Sequence, residues 1–136
     1  DRPVFRARHL PEALRVSLAA GAIRLAERLL DSNAHRAPRH QYSVLAGRAV
    51  LTEAQGRPDA ASALYAEVAA HWASYGFALE HGQAALGAGR CLVAVGRPHE
   101  AVAHLGEARR AFDALRAWPL VADTDRVLAQ AKRTAF

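Results

Sequence analysis

The sequence predicts an all-α protein built of antiparallel helical hairpins stacked as a short solenoid of about six helices. Three observations carry this. About a quarter of the 136 residues are Ala, while the β-branched and aromatic residues that favour strands are sparse. Gly and Pro recur as helix-stop and helix-start signals, and the stretch "GRPDAA" at 56–61 returns forty residues later as "GRPHEA" at 96–101. The chain is of ordinary single-domain length, so 1–136 is expected to form one helical-repeat domain.

The first helix is expected over 10–30, where Leu14, Leu18, Ala22, Leu25 and Leu29 fall at spacings of three and four and share one face. "DSNAHRAPRH" at 31–40 concentrates Asp, Asn, Ser and Pro and reads as a loop. A helix pair should then occupy 41–75. Gly56 ends its first member where a left-handed residue is wanted, and Pro58 opens the second, where a missing N–H costs nothing. A second pair over 78–116 repeats the device with Gly96 and Pro98, and Pro119 introduces a capping helix over 119–133.

Sliding the chain by forty residues tests whether the match is more than a turn. Gly56, Pro58, Ala61, Tyr65 and Val68 fall on Gly96, Pro98, Ala101, Leu105 and Ala108, and Leu45, Ala49 and Thr52 fall on Ala85, Gly89 and Leu92. Small residues recur where helices must approach closely, and larger ones where the gap must be filled.

The segment "GRPHEAVAHLGEA" at 96–108 resembles the second half of a tetratricopeptide repeat: a turn Gly, Ala101 five residues on, Leu105 four further, Ala108 after three. "AALGAGRCL" at 84–92 is similar to the first helix of such a unit, with Gly89 at its small packing position. The period of forty exceeds the family's usual length of about 34, which longer helices would explain. The usual early aromatic is replaced by Leu45 or Ala85, and the Pro that closes a unit is absent. The phrasing of 64–76, 85–112 and 121–131 also resembles the C-terminal helical-repeat region of large bacterial signalling ATPases, transcriptional regulators and adenylate cyclases. That resemblance implies a right-handed α-solenoid that binds proteins and a cytoplasmic location.

Composition limits the function classes. Eighteen Lys and Arg against thirteen Asp and Glu give a net charge of +5, but the charges are interleaved rather than clustered, apart from "RPVFRAR" at 2–8. Nucleic-acid binding through an Arg-rich surface is therefore an alternative expectation, ranked below protein binding. Cys91 is the sole cysteine, which excludes an intrachain disulfide. No apolar run approaches the roughly 20 residues of a membrane span. The chain contains no Met, even at position 1, and is expected to be a piece of a longer protein.

Catalytic and metal chemistry find no support. His99 and His104 lie on different helix faces, His35 and His40 lack Cys or carboxylate companions, and no HExxH or CxxC is present. Cys91 beside Leu92 and Val93 is expected to be buried and inert. Gly87 and Gly89 form a GxG without a preceding strand, so close helix packing accounts for them. Asp123 and Asp125 do not share a face, and an N-terminal capping or dipole role is the expected one for them. Trp72 and Tyr75, in "HWASYGF" at 71–77, read as core between repeats.

No catalytic residue, cofactor or metal is therefore expected. The first helix of each unit would line a concave partner-binding face carrying Ser43, Glu53, Gln83, Arg90, Asp123, Arg126 and Gln130. Arg90 and Arg126 are the residues best suited to grip a carboxylate, since a guanidinium can do so bidentately. The expected partner is a protein, a peptide or a neighbouring domain of the same chain, and exposed repeat ends could pair two copies.

Overall fold

The computed structural model describes residues 41–135. The helix expected at 10–30, the loop at 31–40, and His35 and His40 lie outside the described residues. The chain divides into two compact units, Asp1–Arg57 and Pro58–Phe136, each described by itself.

In the first unit, α1 (Gln41–Ala54) buries Val44, Ala46, Ala49, Val50 and Leu51. In the second, α2 (Pro58–Ser74), α3 (Ala78–Ala94), α4 (Pro98–Ala114) and α5 (Trp118–Ala135) follow one another, each packed on the next. Their bounds match the expected helices to within two residues. The described residues contain helices and turns only.

Every connection is made the same way. After α1, Gly56 N–H donates to the Glu53 carbonyl and Arg57 N–H to the Thr52 carbonyl. Gly76 and Phe77, Gly96 and Arg97, and Arg116 and Ala117 repeat this pair of bonds at the ends of α2, α3 and α4. This is the Schellman closure, which satisfies two orphan carbonyls and needs one left-handed residue. The left-handed residues are Gly56 (φ 77°), Gly76 (φ 73°), Gly96 (φ 79°) and Arg116 (φ 55°), twenty positions apart. The forty-residue repeat is thus two twenty-residue strokes, a 17-residue helix and a three-residue turn.

Helix α3 is the middle of the second unit and touches α2, α4 and α5. It is buried without interruption from Ala84 to Gly89. Helices α2 and α4 bury single stripes: Ala61, Tyr65, Val68 and Ala69 on one, Ala101, Leu105, Ala108 and Phe112 on the other. These stripes point at glycines. A methyl group on Gly87 would lie 2.6 Å from the Tyr65 ring, one on Gly82 would lie 2.6 Å from the Phe112 ring, and one on Gly89 would collide with Leu105. Seven residues forward on α3, from Gly82 to Gly89, is seven backward on α4, from Phe112 to Leu105, the register of an antiparallel pair.

The buried hydroxyls of Ser62 and Thr124 are satisfied locally, whereas His104 Nδ1 is buried without a hydrogen-bond partner among the described residues. Ser62 Oγ donates to the Asp59 carbonyl and Thr124 Oγ1 to the Leu120 carbonyl. Cys91 is buried as expected, at 1 % exposure. Two expectations are corrected. Tyr75 is 67 % exposed and is not core, because it sits past the last turn of α2, beyond the reach of the buried stripe. Asp123 and Asp125 are not caps: they lie in the second turn of α5 and pair with Arg126 and Arg109 respectively.

Gly87→Ala should lower stability by about 1–2 kcal/mol, because overpacking a rigid contact outweighs the gain in helix propensity of about 1 kcal/mol. Gly106→Ala, where the nearest atom to an added methyl is Arg110 Nη1 at 3.5 Å, should instead stabilise by about 0.5–1 kcal/mol. Urea unfolding midpoints of the two variants should move in opposite directions. Arg116→Gly removes the strain of a left-handed non-glycine residue and should raise stability by about 0.5–1 kcal/mol, visible as a higher melting temperature.

Candidate functional site

The alternation of the helices sorts the surface of the second unit into two unlike ends. Helices α2 and α4 run in the same direction, so the α2–α3 and α4–α5 turns lie at one end. The large hydrophobic residues exposed among the described residues are Tyr75, Leu79, Leu115 and Trp118. All four flank those two turns. The other end, formed by the starts of α2 and α4, carries exposed Asp59, Arg97, His99 and Glu100, with the Arg97 guanidinium donating to both oxygens of Glu100 at 2.9 and 2.7 Å.

At the apolar end the α2–α3 turn is braced by aromatic rings. Phe77 follows the left-handed glycine and packs edge-on against Trp72, with ring centroids 5.4 Å apart, the hydrophobic contact that commonly accompanies a Schellman closure. His71 stands against both Trp72 and Tyr75, at 4.9 and 4.8 Å. Burial holds its imidazole below the ordinary histidine range, since the charged form loses hydration.

A cleft of 380 Å³ opens beside this turn, entirely within the second unit. Its floor is apolar, made by Ala73, Phe77, Ala78 and Ala111. Its polar wall is His81 from the first turn of α3 with Glu107 and Arg110 from α4. The His81 ring is fixed from behind, because its Nδ1–H donates to the Ala69 carbonyl at 2.9 Å. Its Nε2 faces the Glu107 carboxylate at 3.8 Å, with the Glu107 side chain about half exposed. Arg110 is exposed, has no ion-pair partner among the described residues, and lays its guanidinium back along α4 over Gly106.

The residues expected on a concave face are distributed differently. On α1, Ser43 is buried at 4 % exposure and Glu53 is half-buried. On α3, Gln83 is half-buried and Arg90 exposed, seven residues apart and so on one helix face. On α5, Asp123 lies one turn before Arg126 and is hydrogen-bonded to its guanidinium, and Gln130 is exposed one turn further on. Arg126 thus already holds a carboxylate of its own helix. Arg109 is held likewise, donating to Asp125 at 2.8 Å across α4 and α5, and that hydrogen bond and charge keep its guanidinium more firmly protonated.

The cleft residues His81, Glu107 and Arg110 were not singled out by the sequence. Positions 81 and 107 are 26 apart and meet only because α3 and α4 pack antiparallel. The available signal was Gly82 and Gly89 against Phe112 and Leu105, which sets that register. Among the described residues no group of three His, Cys, Asp or Glu comes together to hold a metal ion, and no helix is long and apolar enough to cross a membrane. No family model, curated protein or solved structure matches this chain.

Replacing His81 by Ala removes a part-buried hydrogen bond to the Ala69 carbonyl that ties α3 to α2, and should cost about 1 kcal/mol in urea unfolding. Glu107→Gln, at a half-exposed position facing the same ring, should change stability by less than about 0.5 kcal/mol.

Proposed function

We propose that this chain is a protein-interaction module, a helical-repeat scaffold that docks a protein or peptide partner, or a neighbouring domain of the same chain. The observation that carries the reading is the segregation of Tyr75, Leu79, Leu115 and Trp118 to one end of the second unit. Scattered exposed hydrophobics are ordinary, but a set confined to one end and half of it aromatic has the composition of an interface centre. Tyr and Trp in such positions commonly dominate binding energy.

In the wider setting, the resemblance of the repeat phrasing to the helical regions of bacterial signalling ATPases and transcriptional regulators supports a cytoplasmic scaffold that passes a binding event to attached modules. The concave-face residues Gln83, Arg90, Asp123, Arg126 and Gln130 would be a second, more polar surface of the same scaffold. Binding to nucleic acid has less support, because Arg97, Arg109 and Arg126 are each engaged by a carboxylate and so offer less free positive charge to phosphates.

The Trp118→Ala, Tyr75→Ala double variant should keep its helical circular dichroism and melting temperature while losing at least about tenfold in crosslinking to its cellular partner. Arg97→Gln at the opposite end should leave crosslinking unchanged. Equal crosslinking by the apolar-end variant and the parent chain would refute the assignment of the docking surface.

A further inference from the structure

The cleft beside the α2–α3 turn has a chemistry that docking at the apolar end does not require. The hydrogen bond from His81 Nδ1–H to the Ala69 carbonyl places the lone pair of the neutral ring on Nε2. In that neutral tautomer the Nε2 lone pair and the Glu107 carboxylate, 3.8 Å apart, are two acceptors facing one another. One nitrogen at about 2.9 Å from each would satisfy both, and the angle required lies within the spread of two N–H bonds of an ammonium group.

Arg110 supplies the opposite charge. It follows Glu107 by three residues, so the two side chains rise from one face of α4 with Cβ atoms about 5–6 Å apart. Both side chains line the cleft, so an ammonium at Glu107 and a carboxylate at Arg110 can belong to one small molecule. The guanidinium has no ion-pair partner among the described residues, and it can take a carboxylate in its bidentate fork. Below these groups the floor of Ala73, Phe77, Ala78 and Ala111 offers nothing polar, which suits an apolar side chain. The volume of 380 Å³ is at the small end of ligand pockets.

We infer that this cleft binds a free apolar α-amino acid. The ammonium sits between His81 Nε2 and Glu107, the carboxylate rests on Arg110, and the side chain lies against Phe77 and the three alanines. Binding involves no covalent step. It is independent of partner docking, since it needs neither Trp118 nor Leu115.

The test is isothermal titration calorimetry on the full chain at pH 7, where the amines of leucine and leucinamide are largely protonated, with L-leucine, leucinamide and 4-methylpentanoate as probes. Leucine should bind, and each analogue should bind at least about tenfold more weakly, as each lacks one of the two charges. Glu107→Gln and Arg110→Gln should each cost about tenfold or more in leucine affinity with helicity and melting temperature unchanged. Ala111→Leu, which fills the floor, should abolish binding, whereas Trp118→Ala should not weaken it. The absence of heat with leucine at millimolar concentration in a folded chain would overturn the inference. So would leucinamide matching leucine with Arg110→Gln without effect, because the site would then hold an amine alone.

Discussion

The second unit depends on three places where a helix backbone has no side chain to keep its neighbour away. Gly87 receives the ring of Tyr65 from α2, Gly82 the ring of Phe112 from α4, and Gly89 the branched end of Leu105. Glycine in a helix costs about 1 kcal/mol relative to Ala, so three of them within eight residues of α3 weaken that helix in isolation. Burial of Tyr65, Leu105 and Phe112, each at 2 % exposure or less, outweighs this, at about 1.5–3 kcal/mol for each side chain. Helix α3 is thus shaped by its neighbours on both sides, and the antiparallel register of the hairpin follows from which glycine meets which large residue.

Around that core, the closures impose a strict metre. A left-handed residue every twenty positions gives each helix from α2 to α4 the same 17 residues, close to 25 Å at 1.5 Å per residue. Equal lengths bring the turns level at each end, and the two ends then diverge chemically. The α3–α4 turn presents Arg97 bound to Glu100 and opens the next helix with Pro98, whereas the α2–α3 and α4–α5 turns are flanked by Tyr75, Leu79, Leu115 and Trp118. The functional reading grows from this asymmetry.

The cleft is a by-product of the same metre. Phe77, bound to Trp72 as part of the turn, provides its floor, and the first turn of α3 and the last turns of α4 bring His81 to Glu107. The residues that close the helix thus also shape the candidate site. The side chains that hold its polar wall are fixed to different degrees: His81 is tied to a backbone carbonyl, while Glu107 and Arg110 stand at the solvent boundary and can adjust to an occupant.

By itself the sequence determined the helices, their ends and the pairing of small with large positions. These are local properties: Gly56, Gly76 and Gly96 supply left-handed stops, Pro58 and Pro98 supply starts, and the stripes on α2 and α4 recur at spacings of three and four. The twenty-residue metre is written in Gly56, Gly76 and Gly96, but its fourth left-handed position is Arg116, whose side chain gives no sign that the backbone there is left-handed. The tertiary structure alone decided what lies outside the core. Tyr75 reads as core by composition but is exposed, because a residue beyond the final helical turn has left the buried stripe. His81 and Glu107 read as unrelated surface residues, but the packing of α3 on α4 sets them 3.8 Å apart. Helix boundaries depend on backbone preferences written residue by residue, whereas a site assembled from two helices depends on a register that many weak contacts set together.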